Sequence, residues 1–219
     1  LQCKTISEFW FQSLYNIDQG YKQEIERGSF EGGYRLQYPF LCVEIEYPME
    51  NIVPQVPAGV SQPTTWDYIQ EYFNDYILGG KEPEENEQYT YGERIAPQLD
   101  TVLKVLSETP NTNQATISIS QPTDINLSEP PCLRSIDFKV IGNKLCLYSV
   151  WRSHDLFFGL PTNLGGLALL QQMVAEYIGK EIGRMYYYSS GSHIYSYQIE
   201  TVEAVIKKEI KNGTKTISE

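Results

Sequence analysis

Residues 5 to about 27 put Phe9, Phe11, Leu14, Tyr15 and Ile17 at helical spacing behind a capping Ser7, which predicts an amphipathic helix. Across 38–47 the period shortens to two. Val43, Ile45 and Tyr47 alternate with Glu44 and Glu46, the pattern of a half-buried strand. Pro48, Pro54, Pro57 and Pro63 make the following stretch irregular. A second helix opens at Thr65, carries Trp66, Ile69, Phe73, Tyr76 and Ile77, and stops at Gly79-Gly80. The acidic run 81–88 reads as a solvated loop. A third helix runs from about Pro97 to Glu108 on Leu99, Val102, Leu103 and Leu106.

The second half alternates more cleanly. Residues 115–120 read as a strand, and 133–140 and 144–151 as two strands joined through Gly142-Asn143, a two-residue hairpin signal. Residues 164–178 form a strongly apolar helix, with Leu167, Leu170, Val174 and Tyr177 on one face and Gly179 after its end. Two more strands, 184–189 and 193–199, precede a last amphipathic helix over 201–212. Helices and strands intermix without βαβ regularity. The expected fold is therefore α+β: a single domain over 1–219, with a mixed or antiparallel sheet covered by helices.

Composition narrows the function. The 219 residues are 41% hydrophobic and 21% charged, enough to bury one sizeable core. No apolar run approaches the ~20 residues of a membrane span. The net charge of −11 is unevenly placed: residues 1–110 hold 18 acids and 7 bases, whereas 111–219 hold 10 of each. Such a balance argues against nucleic acid and anionic membranes, which need a basic face. Taken alone, it argues against a phosphorylated substrate too. Cys3, Cys42, Cys132 and Cys146 are irregularly spaced with no C-x-x-C pair, and His154 and His193 are the only histidines, so no zinc site is expected. Without a basic-then-apolar leader in this sequence, reduced thiols and a cytoplasmic location are expected.

The predicted hairpin singles out one thiol. With Gly142-Asn143 as the turn, Cys146 faces Lys139, while Cys132 faces Ser153 beside Arg152, and a bulge shifts this by one residue. A thiol with a pKa of about 8.5 becomes a good nucleophile at neutral pH when a cation lowers that value. A packed, inert thiol is the alternative.

Four ordered motifs then carry a family resemblance. E-P-P-C-L at 129–133 resembles the nucleophile motif of the thymidylate synthase family, and W-R-S-H-D-L-F-F-G-L-P-T-N at 151–163 resembles its R-S-x-D…G-x-P-x-N block. S-H-I-Y at 192–195 is similar to its H-I-Y, and Y-T-Y-G-E-R at 89–94 to its Y-G-x-R element. The short length resembles the compact archaeal-type branch. The resemblance implies that the Cys132 thiolate adds to C6 of a uracil ring, so that C5 attacks the methylene carbon of 5,10-methylenetetrahydrofolate. Arg152 would contact the thiol region and the substrate phosphate, with Ser153 adding a hydroxyl. Asn163 would read uracil O4 and N3–H, or simply cap the following helix. His193 and Tyr195 would bind the sugar hydroxyl, Tyr91 would assist proton handling near the base, Asp155 would hold the pterin, and Gly159 and Pro161 would shape the loop. Glu71 is the candidate for the family's early-helix glutamate, which organises proton transfer to O4. His154 matches no family role and reads as structural.

The chain also departs from the family pattern. Asn113 and Gln114 stand where the family presents two arginines that reach a partner subunit's phosphate site, which removes two bidentate contacts. The tail N-G-T-K-T-I-S-E lacks the short apolar end that closes over folate. Conversion of dUMP to dTMP leads the readings. A pyrimidine nucleotide or nucleoside C5 hydroxymethylase, a non-catalytic nucleotide-binding relative, and a hydrolase using Cys132 and His193 remain beside it. The family further implies a homodimer packed sheet against sheet.

Overall fold

The computed structural model describes residues 1–27, 30–81 and 88–210. In chain order its elements are β1 (Gln2–Cys3), α1 (Ile6–Tyr15), β2 (Tyr21–Glu24), β3 (Tyr34–Gln37), β4 (Leu41–Ile45), α2 (Trp66–Tyr72), α3 (Tyr91–Glu108) and β5 (Thr116–Ser118). They continue with β6 (Leu133–Ile141), β7 (Lys144–Trp151), β8 (His154–Asp155), α4 (Gly159–Tyr177), β9 (Glu181–Ser189), β10 (Ser192–Tyr195) and α5 (Ile199–Ile206). The strands form a six-stranded sheet in the order β1-β4-β9-β7-β6-β5 and a four-stranded sheet in the order β2-β3-β10-β8. Both mix parallel and antiparallel pairs: β7 runs parallel to β9 and β8 parallel to β10. The α+β expectation holds, divided between two sheets.

The helices hold where apolar spacing predicts them and differ at their ends, where caps decide. Thr5, not Ser7, caps α1, accepting from the Glu8 amide at 3.2 Å. The helix ends near Tyr15, and Tyr21–Glu24 becomes a strand because it pairs with β3. Its buried face is Ile6, Phe9, Trp10 and Leu14, leaving Phe11 and Tyr15 on the exposed side. The third helix begins six residues before Pro97, at Tyr91, because Thr90 and Glu93 form a reciprocal capping box. The strand predicted over 193–199 stops at Tyr195, and α5 starts at Ile199. Of the acidic loop, 82–87 lie outside the described residues, as does 211–219 with the departing tail.

At the centre lies α4. Leu160, Leu164, Leu167 and Val174 on one side and Pro161, Gly165, Gly166 and Ala168 on others are all buried, so the helix is packed on more than one face, by α1, α2, β7 and β9. Gly165 and Gly166 let α2 approach closely: a Cβ at Gly166 would lie 2.8 Å from the Tyr72 ring, and one at Gly165 would lie 2.9 Å from Ile69. Directly after Tyr72 the chain widens into a π-turn over Phe73–Ile77, closed by Leu78 N–H donating to Phe73 O at 2.9 Å. Such turns re-aim side chains and recur at functional sites.

The β6–β7 hairpin keeps the predicted register at its turn end, with Cys146 opposite Lys139. A bulge between Leu133 and Ser135 then moves the pairing by one residue. Leu133 faces Trp151, and Arg152 N–H donates to Cys132 O at 2.9 Å. Cys132 thus meets Arg152 itself rather than Ser153. Gly191 lies against this junction: an added Cβ would be 2.4 Å from Arg152 O. Gly191→Ala is expected to displace the Arg152 backbone and cost about 1–3 kcal/mol of stability, read as a lower urea midpoint with unchanged slope.

Candidate active site

Four segments distant in sequence converge on Cys132. It sits half-buried at the start of β6, after Pro130-Pro131. Arg152 folds back over this turn, Nε donating to Pro131 O at 3.1 Å and Nη2 donating to Pro130 O. From α3, Tyr91 Oη accepts from Leu133 N–H at 3.3 Å, and the Tyr89 hydroxyl reaches the Cys132 backbone. Tyr195 on β10 is near enough that a charge on Cys132 would raise its hydroxyl's pKa. Burial pushes the thiol pKa up, and Arg152 opposes this without overcoming it. The resting group is a thiol, not the thiolate that the neighbouring cation suggests from sequence. All four cysteines are free.

Asn163 lies in the second turn of α4, and its amide is held from both ends. Oδ1 is 2.9 Å from His154 Nε2, and Nδ2 donates to Tyr72 Oη at 2.9 Å. His154 is buried, stacked on Trp151 at 4.0 Å and 6°, and linked through Nδ1 to Tyr187 Oη at 3.0 Å; Tyr187 in turn meets Ser192 Oγ at 2.7 Å. Burial lowers the His154 pKa to about 3, so the ring is neutral. The histidine without a family role is the residue that holds Asn163.

His193 and Tyr195 project from the face of β10 opposite buried Ile194. His193 Nδ1–H donates to Gly191 O at 2.8 Å. Burial lowers its pKa to about 4, leaving Nε2 an unprotonated acceptor that is buried and without a partner. Opposite these two residues stand Gln37 and Arg35 on β3, with Gln37 Oε1 and Arg35 Nε also buried and unpartnered. The charges of both Arg35 and Arg152 reach His193. Tyr195 is pushed up to about 12 by burial, and its hydroxyl stays neutral.

The remaining candidates are placed as follows. Asp155 Oδ1 accepts from Phe157 N–H (2.8 Å) and Phe158 N–H (3.3 Å), and both carboxylate oxygens accept from Gln198 Nε2. Oδ2 keeps an acceptor direction free of protein donors. Burial raises this carboxyl. Ser153 is half-buried beside Arg152, and Gly159 is the first residue of α4, against Asp155 and Asn163. Asn113 and Gln114 are exposed just before the edge strand β5. Glu71 is exposed, though it lines a cavity of about 510 Å³ with Tyr72, Tyr76, Tyr91 and Asn163. The group that touches Asn163 is the next residue, Tyr72. Sequence reasoning passed over Tyr72, Arg35 and Gln37. The Tyr72/Tyr76 spacing was visible, but only the close approach at Gly166 sets Tyr72 against α4. Among the described residues, no group of His, Cys, Asp or Glu is arranged to hold a metal ion, and no helix is long and apolar enough to cross a membrane.

A thiol within electrostatic reach of an arginine, an amide held from both ends and an unpartnered histidine acceptor thus share one mixed-sheet α+β scaffold. The sequence profile of the thymidylate synthase family matches residues 63–218, and the chain belongs to that family. It is 31% identical over 218 residues to a Methanosarcina barkeri protein provisionally named a thymidylate synthase, covering 94% of each chain. A Methanosarcina acetivorans protein with the same provisional name is 32% identical with the same coverage. A Listeria monocytogenes thymidylate synthase is 32% identical over 118 residues, 53% of this chain and 37% of that one. The fold resembles that of thermostable thymidylate synthase A from Bacillus subtilis, with a TM-score of 0.73 at 16% identity, covering 94% of this chain and 85% of the other.

Because burial raises the Cys132 thiol while Arg152 lowers it, iodoacetamide should alkylate the Cys132 peptide slowly at pH 7. Its rate should climb only at pH above the ordinary thiol range. Arg152→Met should move that climb higher still. Peptide mass spectrometry across pH separates Cys132 from exposed Cys42.

Proposed function

We propose that the protein is a pyrimidine C5 one-carbon transferase that converts dUMP to dTMP through a covalent Cys132–C6 adduct, with 5,10-methylenetetrahydrofolate as co-substrate. The observation that carries this reading is that Arg152 and Tyr195 lie within electrostatic reach of Cys132, that Arg152 likewise reaches His193, and that His154, close to His193, is hydrogen-bonded to Asn163. Cys132 loses its proton and forms the S–C6 bond. Arg152 lowers the cost of that deprotonation and, with Ser153, binds the phosphate. The unprotonated His193 Nε2 accepts from the sugar hydroxyl, beside the Tyr195 hydroxyl. Asn163 accepts N3–H at Oδ1 and donates to O4 from Nδ2. Its held orientation suits uracil, whereas cytosine presents the reverse pattern. Tyr91 assists proton handling near the ring.

The folate supplies the one-carbon unit. Asp155 offers its remaining acceptor at Oδ2 to the pterin edge, and Gly159 keeps that side of the cleft open. Arg35 adds a guanidinium on the sugar side, where the partner's arginine pair is missing at Asn113 and Gln114. Hydroxymethylation differs only in whether water, rather than hydride, completes the reaction.

The subunit is proposed to pair through the outer face of its six-stranded sheet, where Tyr148 stacks on Tyr186 at 4.5 Å and Phe40 meets Tyr188 at 5.4 Å. Light scattering at micromolar concentration should give a dimer; a monomer would count against this arrangement.

Mixing the protein with 5-fluoro-dUMP and methylenetetrahydrofolate should give a covalent adduct on Cys132, detected by mass. Tight dUMP binding with no adduct would favour a non-catalytic relative. Tritium release from C5 without dihydrofolate would point instead to a hydroxymethylase.

A further inference from the structure

The polar groups that reach Asn163 have a fixed direction. An amide oxygen only accepts, so His154 must present Nε2–H to Asn163 Oδ1. A neutral imidazole has one N–H, so His154 Nδ1 accepts, and Tyr187 is the donor across 3.0 Å. The Tyr187 proton being committed, Ser192 Oγ–H donates to Tyr187 Oη across 2.7 Å. Asn163 Nδ2–H then donates to Tyr72 Oη across 2.9 Å. Ser192, Tyr187, His154 and Asn163 each donate a hydrogen bond to the next group in a series that ends at Tyr72. The Tyr72 oxygen is occupied as an acceptor, and its own O–H is the end of the series. It lies in the wall of the 510 Å³ cavity shared with Asn163 and Tyr91.

We propose that Tyr72 is a further catalytic residue, a hydrogen-bond donor to the base carbonyl oxygen that Asn163 also reads, standing where a carboxylate was expected. The proposal rests on the uracil-nucleotide reading above. When sulfur bonds to C6, the C5=C6 electron pair forms C4=C5, and the C4=O4 pair moves onto O4. The thiol proton goes to solvent, and the new charge on O4 meets the Tyr72 O–H. That proton stays on the phenol, because burial holds the Tyr72 pKa well above its usual 10.

Three features place this group. Gly166 admits the Tyr72 ring against α4, the π-turn after Tyr72 stacks it on Tyr76 at 5.4 Å, and four donors in sequence leave its oxygen a single outgoing direction. A series of hydrogen bonds aligned head to tail strengthens its last donor. Glu71 has no such connection. It is exposed, one residue away on the helix.

The test compares the full-length protein with its Tyr72→Phe variant in two measurements: the dUMP dissociation constant by calorimetry, and tritium release from [5-³H]dUMP with methylenetetrahydrofolate. Removal of a donor aimed at developing charge should slow tritium release on the order of 10²-fold, with dUMP affinity changed only about threefold. Equal losses in affinity and rate, or an unchanged rate, would overturn the role of Tyr72 while leaving the nucleotide reading intact. Wild-type protein that neither binds dUMP nor releases tritium would overturn both. If Tyr72→Phe does not fold, Tyr72→Glu keeps the question open to measurement. Its rate should acquire a pH dependence in the carboxylate range that the wild type lacks. A Tyr72→Glu profile matching wild type would overturn the proposal.

Discussion

Asn163 sits in the second turn of a helix that the core surrounds; it is half-buried, and the inner side of its amide has to be satisfied by the protein. A buried amide without partners costs about 1–3 kcal/mol, so the sequence must supply matching groups on neighbouring elements. Here they come from α2 on one side and from β8, β9 and β10 on the other. The Gly165-Gly166 pair, the Trp151–His154 stack and the short β8–β10 pairing all act on this one amide. The small sheet, the central helix and α2 are in this way fastened at a single polar point. Around it the packing is apolar and tolerant of small shifts; at this point it is not, because hydrogen bonds fail within tenths of an ångström.

The thiol shows the opposite balance. Cys132 is close enough to Arg152 for attraction, yet burial outweighs it and the sulfur keeps its proton. Arg152 is itself committed to the carbonyls of Pro130 and Pro131, which turns its charge along the Cys132 turn. A thiol held this way keeps its proton at neutral pH, so a nearby positive charge alone does not make it reactive.

Much of this was legible in the sequence, for a definite reason. Hydrophobic periods and the Gly142-Asn143 turn act locally, so they gave the helices, the β6–β7 hairpin and the Cys146–Lys139 pairing. The bulge that brings Cys132 onto Arg152 depends on the β5 and β7 neighbours of one strand, and its exact residue was not readable. The Thr90/Glu93 box starts the helix at Tyr91 and leaves Pro97 inside it, although Pro97 read from sequence suggests a later start. Glu71 is the residue whose Q-E-Y-F segment resembles the family's early-helix glutamate, whereas Tyr72 reaches α4. One residue along a helix is a turn of about 100°, and sequence alone could not tell which of the two would face a glycine pair 94 positions later. His154 had no motif to announce it. Its meaning lies in Tyr187 and Asn163, which the fold brings to its two nitrogens.

Net charge misleads for the same reason that the motifs inform. The excess of acids lies in residues 1–110, yet the cleft is governed by Arg152 and Arg35, whose charges both reach His193. Arg35 sits on β3 directly across from Tyr195, with its Nε buried and unpartnered. Both arginines are half-buried, so solvent and salt screen them less than a fully exposed lysine, and at the few ångströms that matter to a bound anion they count for more than distant surface charges. The exposed Asn113 and Gln114 therefore do not by themselves decide against a phosphate. What decides is whether the guanidiniums of one subunit converge on it, and the buried, unpartnered Arg35 Nε stands beside two further unpartnered groups, Gln37 Oε1 and His193 Nε2.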